Sequence, residues 1–267
     1  MFKNLSEKLK VIIYCLGVLL LALVFFLAKS SLFLTLFYMT TPALTTALLL
    51  FVITRDGYKK AGLKQLGLHH LGIKQWLLAV LVPFFVLLAG YTTVWIWSPK
   101  TLKFFPGGIK YLNSAVFILG VALYQTLTVS LAEEIGWRGY LLPKLVPFFG
   151  RIKSYVFIGA LWALWHYPLI FISGVYNTDG NKLLTTSLFT LTLIPLSAIL
   201  GELRLRGDSV WPASLFHSMH NTVWQFFVTM SVPSPLLVYV AGETGFIPLV
   251  LYSLVSLYMV SRTFDLS

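Results

Sequence analysis

The chain has 267 residues, of which 58% are hydrophobic and only 11% charged. A soluble domain carries about 25% charged residues, so this composition cannot cover a water-facing surface, and lipid must solvate much of it. The 20 Lys plus Arg outnumber the 9 Asp plus Glu, for a net charge of +11. These cations are scattered between apolar runs, which argues against a nucleic-acid partner and for cytoplasmic loops facing lipid headgroups.

Eight apolar stretches approach the length of about 20 residues that a spanning helix needs. They are 11–28, 31–54, 76–98, 114–133, 154–176, 183–201, 209–230 and 245–261. The expected fold is an all-α integral membrane protein of about eight transmembrane helices, a single multi-pass domain over 1–267 in the cell membrane. The first stretch follows lysines and ends near the small Ala28, like a signal peptide. Its length, and the second stretch directly behind it, favour a retained anchor. It holds the single cysteine, Cys15, which excludes an intrachain disulfide and a cysteine-based metal cluster.

Placing the N-terminus inside puts Arg55, Lys59, Lys60, Lys64 and Lys74 in one inner loop and Arg138, Lys144, Arg151 and Lys153 in the next. Arg204 and Arg206 fall in a third. The outer segments then hold only Lys29, Lys100, Lys103, Lys110 and Lys182. This asymmetry predicts both termini in the cytoplasm. In the loop Arg55–Gln75, the run KKAGLKQLGL reads as a short basic amphipathic piece lying in the interface. In 140–153, YLLPKLVPFFGRIK, the prolines predict a re-entrant or interfacial turn. No repeat, glycine-rich nucleotide loop or linker divides the chain.

Ionisable groups inside spans cost roughly 2.5–3.5 kcal/mol each on insertion scales, and they commonly mark function. Three places carry them. The first is SLAEEIGWRGYLL, Ser130 to Leu142. Glu134 and Arg138 are i and i+4, so they share a helix face and can pair. Glu133 is rotated by about 100° and must find another environment. The second place is LWALWHYPL, with His166 one turn beyond Trp162 on the same face and Pro168 just after. The third is WPASLFHSMHN, where His217 and Asn221 project from one face and His220 from another. His217 lies about 12 Å into its span at 1.5 Å per residue. The three places can therefore meet in the cytoplasmic half of the bilayer.

A buried carboxylate beside a histidine suits a general base acting on water. A histidine with an asparagine suits stabilisation of an oxyanion. Together they describe amide hydrolysis by activated water, with no metal or other cofactor. The close variant places a divalent metal such as zinc on Glu133, His166 and His217, although the HExxH signature is absent.

The three motifs resemble, in order and spacing, those of the CPBP family of intramembrane proteases, related to the type II CAAX prenyl endopeptidase. EEIGWR resembles the family's EExxxR, Trp162 to His166 its FxxxH, and His217 to Asn221 its HxxxN/D. The run GELRLRGDSVWPASLFH resembles the approach to the last motif. The resemblance covers about 114–230 and departs at Trp162, where the family motif has Phe. It implies an eight-helix glutamate endopeptidase with its site inside the membrane. Glu133 and His166 would activate the water, His217 and Asn221 would hold the oxyanion, and Glu134 with Arg138 would support the geometry. Trp162 would touch the substrate, a membrane-associated peptide or C-terminally prenylated protein. Two other readings stand beside this one: a non-catalytic peptide-binding or bacteriocin-immunity membrane protein, and a proton-coupled transporter using the same Glu and His residues as a relay.

Overall fold

The computed structural model describes residues 5–27, 32–103, 110–173 and 180–264. Among these the α-helices are α1 (Glu7–Leu27), α2 (Leu32–Ala47), α3 (Lys60–Lys64), α4 (Trp76–Trp97), α5 (Lys110–Leu127), α6 (Val129–Glu134), α7 (Leu142–Pro168), α8 (Lys182–Gly207), α9 (Trp211–Thr229) and α10 (Phe246–Phe264). The described residues form no strand beyond an isolated antiparallel bridge between Leu102 and Ser231. The chain is an all-α, multi-pass membrane protein.

Among the described residues, five stretches are long and apolar enough to cross a bilayer: Glu7–Leu27, Ile73–Trp97, Leu119–Phe171, Lys182–Gly207 and Leu237–Arg262. A shorter apolar helix, Phe37–Ile53, accompanies them. The 53-residue stretch breaks at Gly150 (φ 70°, ψ 175°), which divides it into two arms. The expected span 209–230 corresponds to α9, which packs against α4, α5, α6 and α8. Its serines and histidines face protein, so it falls below the hydropathy of a lipid-facing span. The expected cytoplasmic ends at residues 1–4 and 265–267 lie outside the described residues, as do Ala28, Lys29 and Tyr176.

Three sequence expectations change. The stretch 114–133 does not end as a helix at Glu133. After an irregular Thr128 (φ −123°, ψ −94°) the chain re-enters a helix, and a π-helical turn over Ile135–Leu141 joins α6 to α7. Glu133 therefore sits within a continuous helical path rather than at its polar end. The prolines do not make the turn in 140–153 either. Pro143 sits in the first turn of α7 directly after the π-turn without ending the helical path, and the chain turns at Gly150. Third, α8 runs to Gly207, so Arg204 and Arg206 belong to its last turns and not to a loop.

Between helices in lipid, association rests on close packing and interhelical hydrogen bonds. A buried aromatic cluster behind α6 shows both. Trp137 meets Tyr14 and Trp165 edge-on at 5.9 and 6.1 Å. Trp165 donates its indole N–H to Thr41 Oγ1 at 3.0 Å, and the Tyr38 hydroxyl donates to the Trp165 carbonyl. A second cluster, with Tyr91, Trp95 and Phe227, seals α4 against α9. The first packing engages α7 through Trp165 and the second engages α9 through Phe227.

Candidate active site

The two glutamates diverge as the helical geometry requires. Glu134 and Arg138 are fully buried and joined at 2.9 Å. Glu133, 2% exposed, accepts a hydrogen bond at 2.9 Å from the Trp162 indole N–H. The π-turn that follows the pair is allowed by a bare backbone. A Cβ on Gly136 would stand 2.4 Å from Pro42 Cβ and 2.8 Å from the Pro42 carbonyl carbon. Such π-turns recur at functional sites because they re-aim side chains within a helix.

His166 and His217 reach the same region from α7 and α9. The His166 Nδ1 lies 2.9 Å from the Trp162 carbonyl, which can only accept. The proton of a neutral ring is therefore on Nδ1, and Nε2 carries the lone pair. The His217 Nδ1 lies 3.1 Å from Glu134 Oε1, the oxygen that also accepts from Arg138. The carboxylate can only accept, so it places a His217 proton on Nδ1. Trp162 sits among these groups. Its ring is 5.3 Å from that of His217 and 6.0 Å from that of His166, and it carries the Arg138 guanidinium 4.6 Å over its face.

Glu133, Trp162, His166, His217 and Asn221 line one cavity of about 490 Å³. Glu134 and Arg138 stand behind it and reach it through His217. The structure thus brings together all seven residues singled out from sequence, four of them with Trp162 on the wall and two as a buried support. No three His, Cys, Asp or Glu side chains among the described residues come together as a metal-binding group.

Residues 115–223 match the family described as type II CAAX prenyl endopeptidase Rce1-like. The chain is also 31% identical over 120 residues to a CAAX prenyl protease 2 of Methanococcus maripaludis, an alignment covering 44% of this chain and 43% of that protein. Through this segment the chain is similar to the CPBP/CAAX protease family. It spans less than half the length of the curated relative it matches, and the matched family segment ends just after Asn221.

The cavity extends beyond that segment. Sequence reasoning missed Ser130, Gln125, Glu243 and Thr244 on its wall. Ser130 is within the quoted motif, one turn before the glutamates, yet a serine in a helix carries no distinctive signal. Glu243 lies between the apolar stretches 209–230 and 245–261, and the scarcity of acids in this chain is the signal that marks it. His220, which the sequence places on another face of the helix from His217 and Asn221, also lines the cavity, and its Nδ1 lies 2.8 Å from the Tyr252 hydroxyl.

Proposed function

We propose that this protein is an intramembrane endopeptidase that hydrolyses a peptide bond with water activated by Glu133 and His166. The observation that carries the reading is the convergence of Glu133, His166, His217 and Asn221 on one cavity. The name of the archaeal relative supports the same reaction class. In the proposed reaction, water binds between the Glu133 carboxylate and the His166 Nε2 lone pair. Glu133 takes its proton as the oxygen attacks the substrate carbonyl. The new oxyanion is held by the Asn221 amide and by the Nε2–H of a His217 ring that carries both protons, its Nδ1–H donated to Glu134. Collapse breaks the C–N bond, and Glu133 returns its proton to the leaving amine. No step uses a metal.

The substrate is proposed to be a membrane-associated peptide or a C-terminally prenylated protein, entering from lipid. The apolar wall formed by Met39, Phe189, Leu193 and Leu196 suits such a chain. The site is proposed to lie in the cytoplasmic half of the bilayer, with both termini cytoplasmic.

The test compares peptide termini, by mass spectrometry, in host membranes holding matched amounts of wild type or Glu133→Gln. Termini formed only with wild type are expected, and their sequences give the cleavage rule. Identical termini in both would overturn the endopeptidase reading and favour a peptide-binding role for the cavity.

A further inference from the structure

The loop between Phe37–Ile53 and α4 is built as a cationic, greasy platform and is tied directly to the helix that carries His217. Lys59, Lys60, Lys64 and Lys74 are all exposed, and none has an ion-pair partner among the described residues. Between them Tyr58, Leu63, Leu71 and Ile73 are exposed at 73%, 43%, 49% and 64%. Water solvates such a mixture poorly. The boundary of an anionic leaflet solvates both halves, with lysines at the phosphates and apolar side chains at the acyl edge. The nearby acids are engaged elsewhere. Asp56 pairs with Lys10 at 2.8 Å, and Asp208 pairs with Arg204 at 3.2 Å and lies 3.8 Å from His69.

The platform is pinned underneath. Buried Arg204 donates to the Gln65 carbonyl at 2.8 Å, and the Val210 N–H donates to the Gly67 carbonyl at 3.0 Å. The Ser209 hydroxyl donates to the His70 carbonyl, and the Trp211 indole donates to the Leu68 carbonyl at 3.2 Å. At Gly72 (φ 62°) a Cβ would stand 2.8 Å from Ser209 Cβ and 2.9 Å from Pro212 Cγ, so the loop lies directly on the start of α9. From Trp211, His217 is less than two turns along that helix.

We propose that residues 59–74 bind the phosphate headgroups of anionic phospholipids, and that this binding steadies the first turns of α9 and hence the position of His217. The consequence for turnover rests on the reaction proposed above. The binding and the steadying of α9 do not.

The test uses the full-length protein without substrate, in phosphatidylcholine nanodiscs with or without phosphatidylglycerol. Hydrogen exchange is read over 59–74 and 211–217. Phosphatidylglycerol is expected to slow exchange several-fold in both segments of the wild type. The triple variant Lys59→Gln, Lys60→Gln, Lys64→Gln is expected to lose this response, whereas Lys100→Gln, Lys103→Gln keeps it. All the substituted lysines are exposed. An unresponsive wild type, or a triple variant that responds fully, would overturn the proposal. Protection of 59–74 without 211–217 would overturn its coupling to α9. Cleavage measured in the same nanodiscs separates the two ideas, because a wild type that responds to lipid but cuts nothing contradicts only the reaction.

Discussion

Glu134 and Glu202 are both fully buried, and each has an arginine four residues on. Their surroundings differ. Glu202 is saturated: Oε1 accepts from Tyr155 at 2.7 Å and from Arg151 at 3.4 Å, and Oε2 accepts from Arg206 at 2.9 Å. Its two arginines are 36% and 29% exposed, and Arg206 also donates to the Met259 carbonyl. This cluster ties α7, α8 and α10 together. Arg138, by contrast, is wholly buried, its Nε and one terminal nitrogen have no hydrogen-bond partner among the described residues, and Glu134 Oε1 is shared with His217. A saturated cluster closes on itself and holds helices. An unsaturated one passes its charge to a group on the cavity wall.

Substitutions can break this comparison. The largest effect is expected at the residue that faces the cavity. Glu133→Gln should lower turnover by about 10²–10⁴-fold, the range of a lost general base, with thermal stability held near that of wild type. Arg138→Met should leave the buried Glu134 carboxylate with His217 as its remaining hydrogen-bond partner among the described residues, at a cost of about 3–5 kcal/mol in stability, and should also weaken turnover through His217. Glu202→Gln should cost less, about 1–3 kcal/mol for a weakened buried network, because its arginines can turn towards the surface. Its turnover per folded molecule should match wild type. Unfolding in detergent together with single-turnover rates checks all three.

Two smaller changes sharpen the picture. Trp162→Phe restores the aromatic type of the motif this segment resembles while removing the indole donor to Glu133. A hydrogen bond to a charged group is worth about 1.5–3 kcal/mol, so a fall of roughly tenfold or more in kcat with little change in KM is expected if Trp162 positions the carboxylate. A rise in KM alone would return it to the substrate-contact role. At the loop, the hydrogen bond from Lys10 holds the Asp56 carboxyl below the usual aspartate range. A lowered folded-state pKa gives stability that is present above the unfolded value and lost as pH falls through the folded one. Asp56→Asn should therefore reduce stability near neutral pH by a few tenths of a kcal/mol for this partly exposed pair. It should flatten the loss of stability below about pH 4, as read by melting temperature against pH.

The polar side of this protein was more legible than its backbone. Glu133, Glu134 and Arg138 stood out because acids are rare in the chain, and their divergence follows from 100° per residue. The i, i+4 spacing of His217 and Asn221 likewise placed both on one wall. The π-turn at Ile135–Leu141 was invisible, because it is set by the approach of Gly136 to Pro42, a contact between distant segments. The proline-rich stretch misled for a local reason: Pro143 starts a helix rather than ending one. The bond between Glu134 and His217 also spans 83 residues of sequence, and no spacing rule reports it.

The most direct test purifies wild type, Glu133→Gln and Glu202→Gln and measures, on one peptide recovered from the membrane comparison, turnover per folded molecule alongside melting temperature. The account predicts that Glu133→Gln melts like wild type and does not cut, and that Glu202→Gln melts lower and cuts at the wild-type rate. Cleavage by Glu133→Gln at the wild-type rate would contradict it.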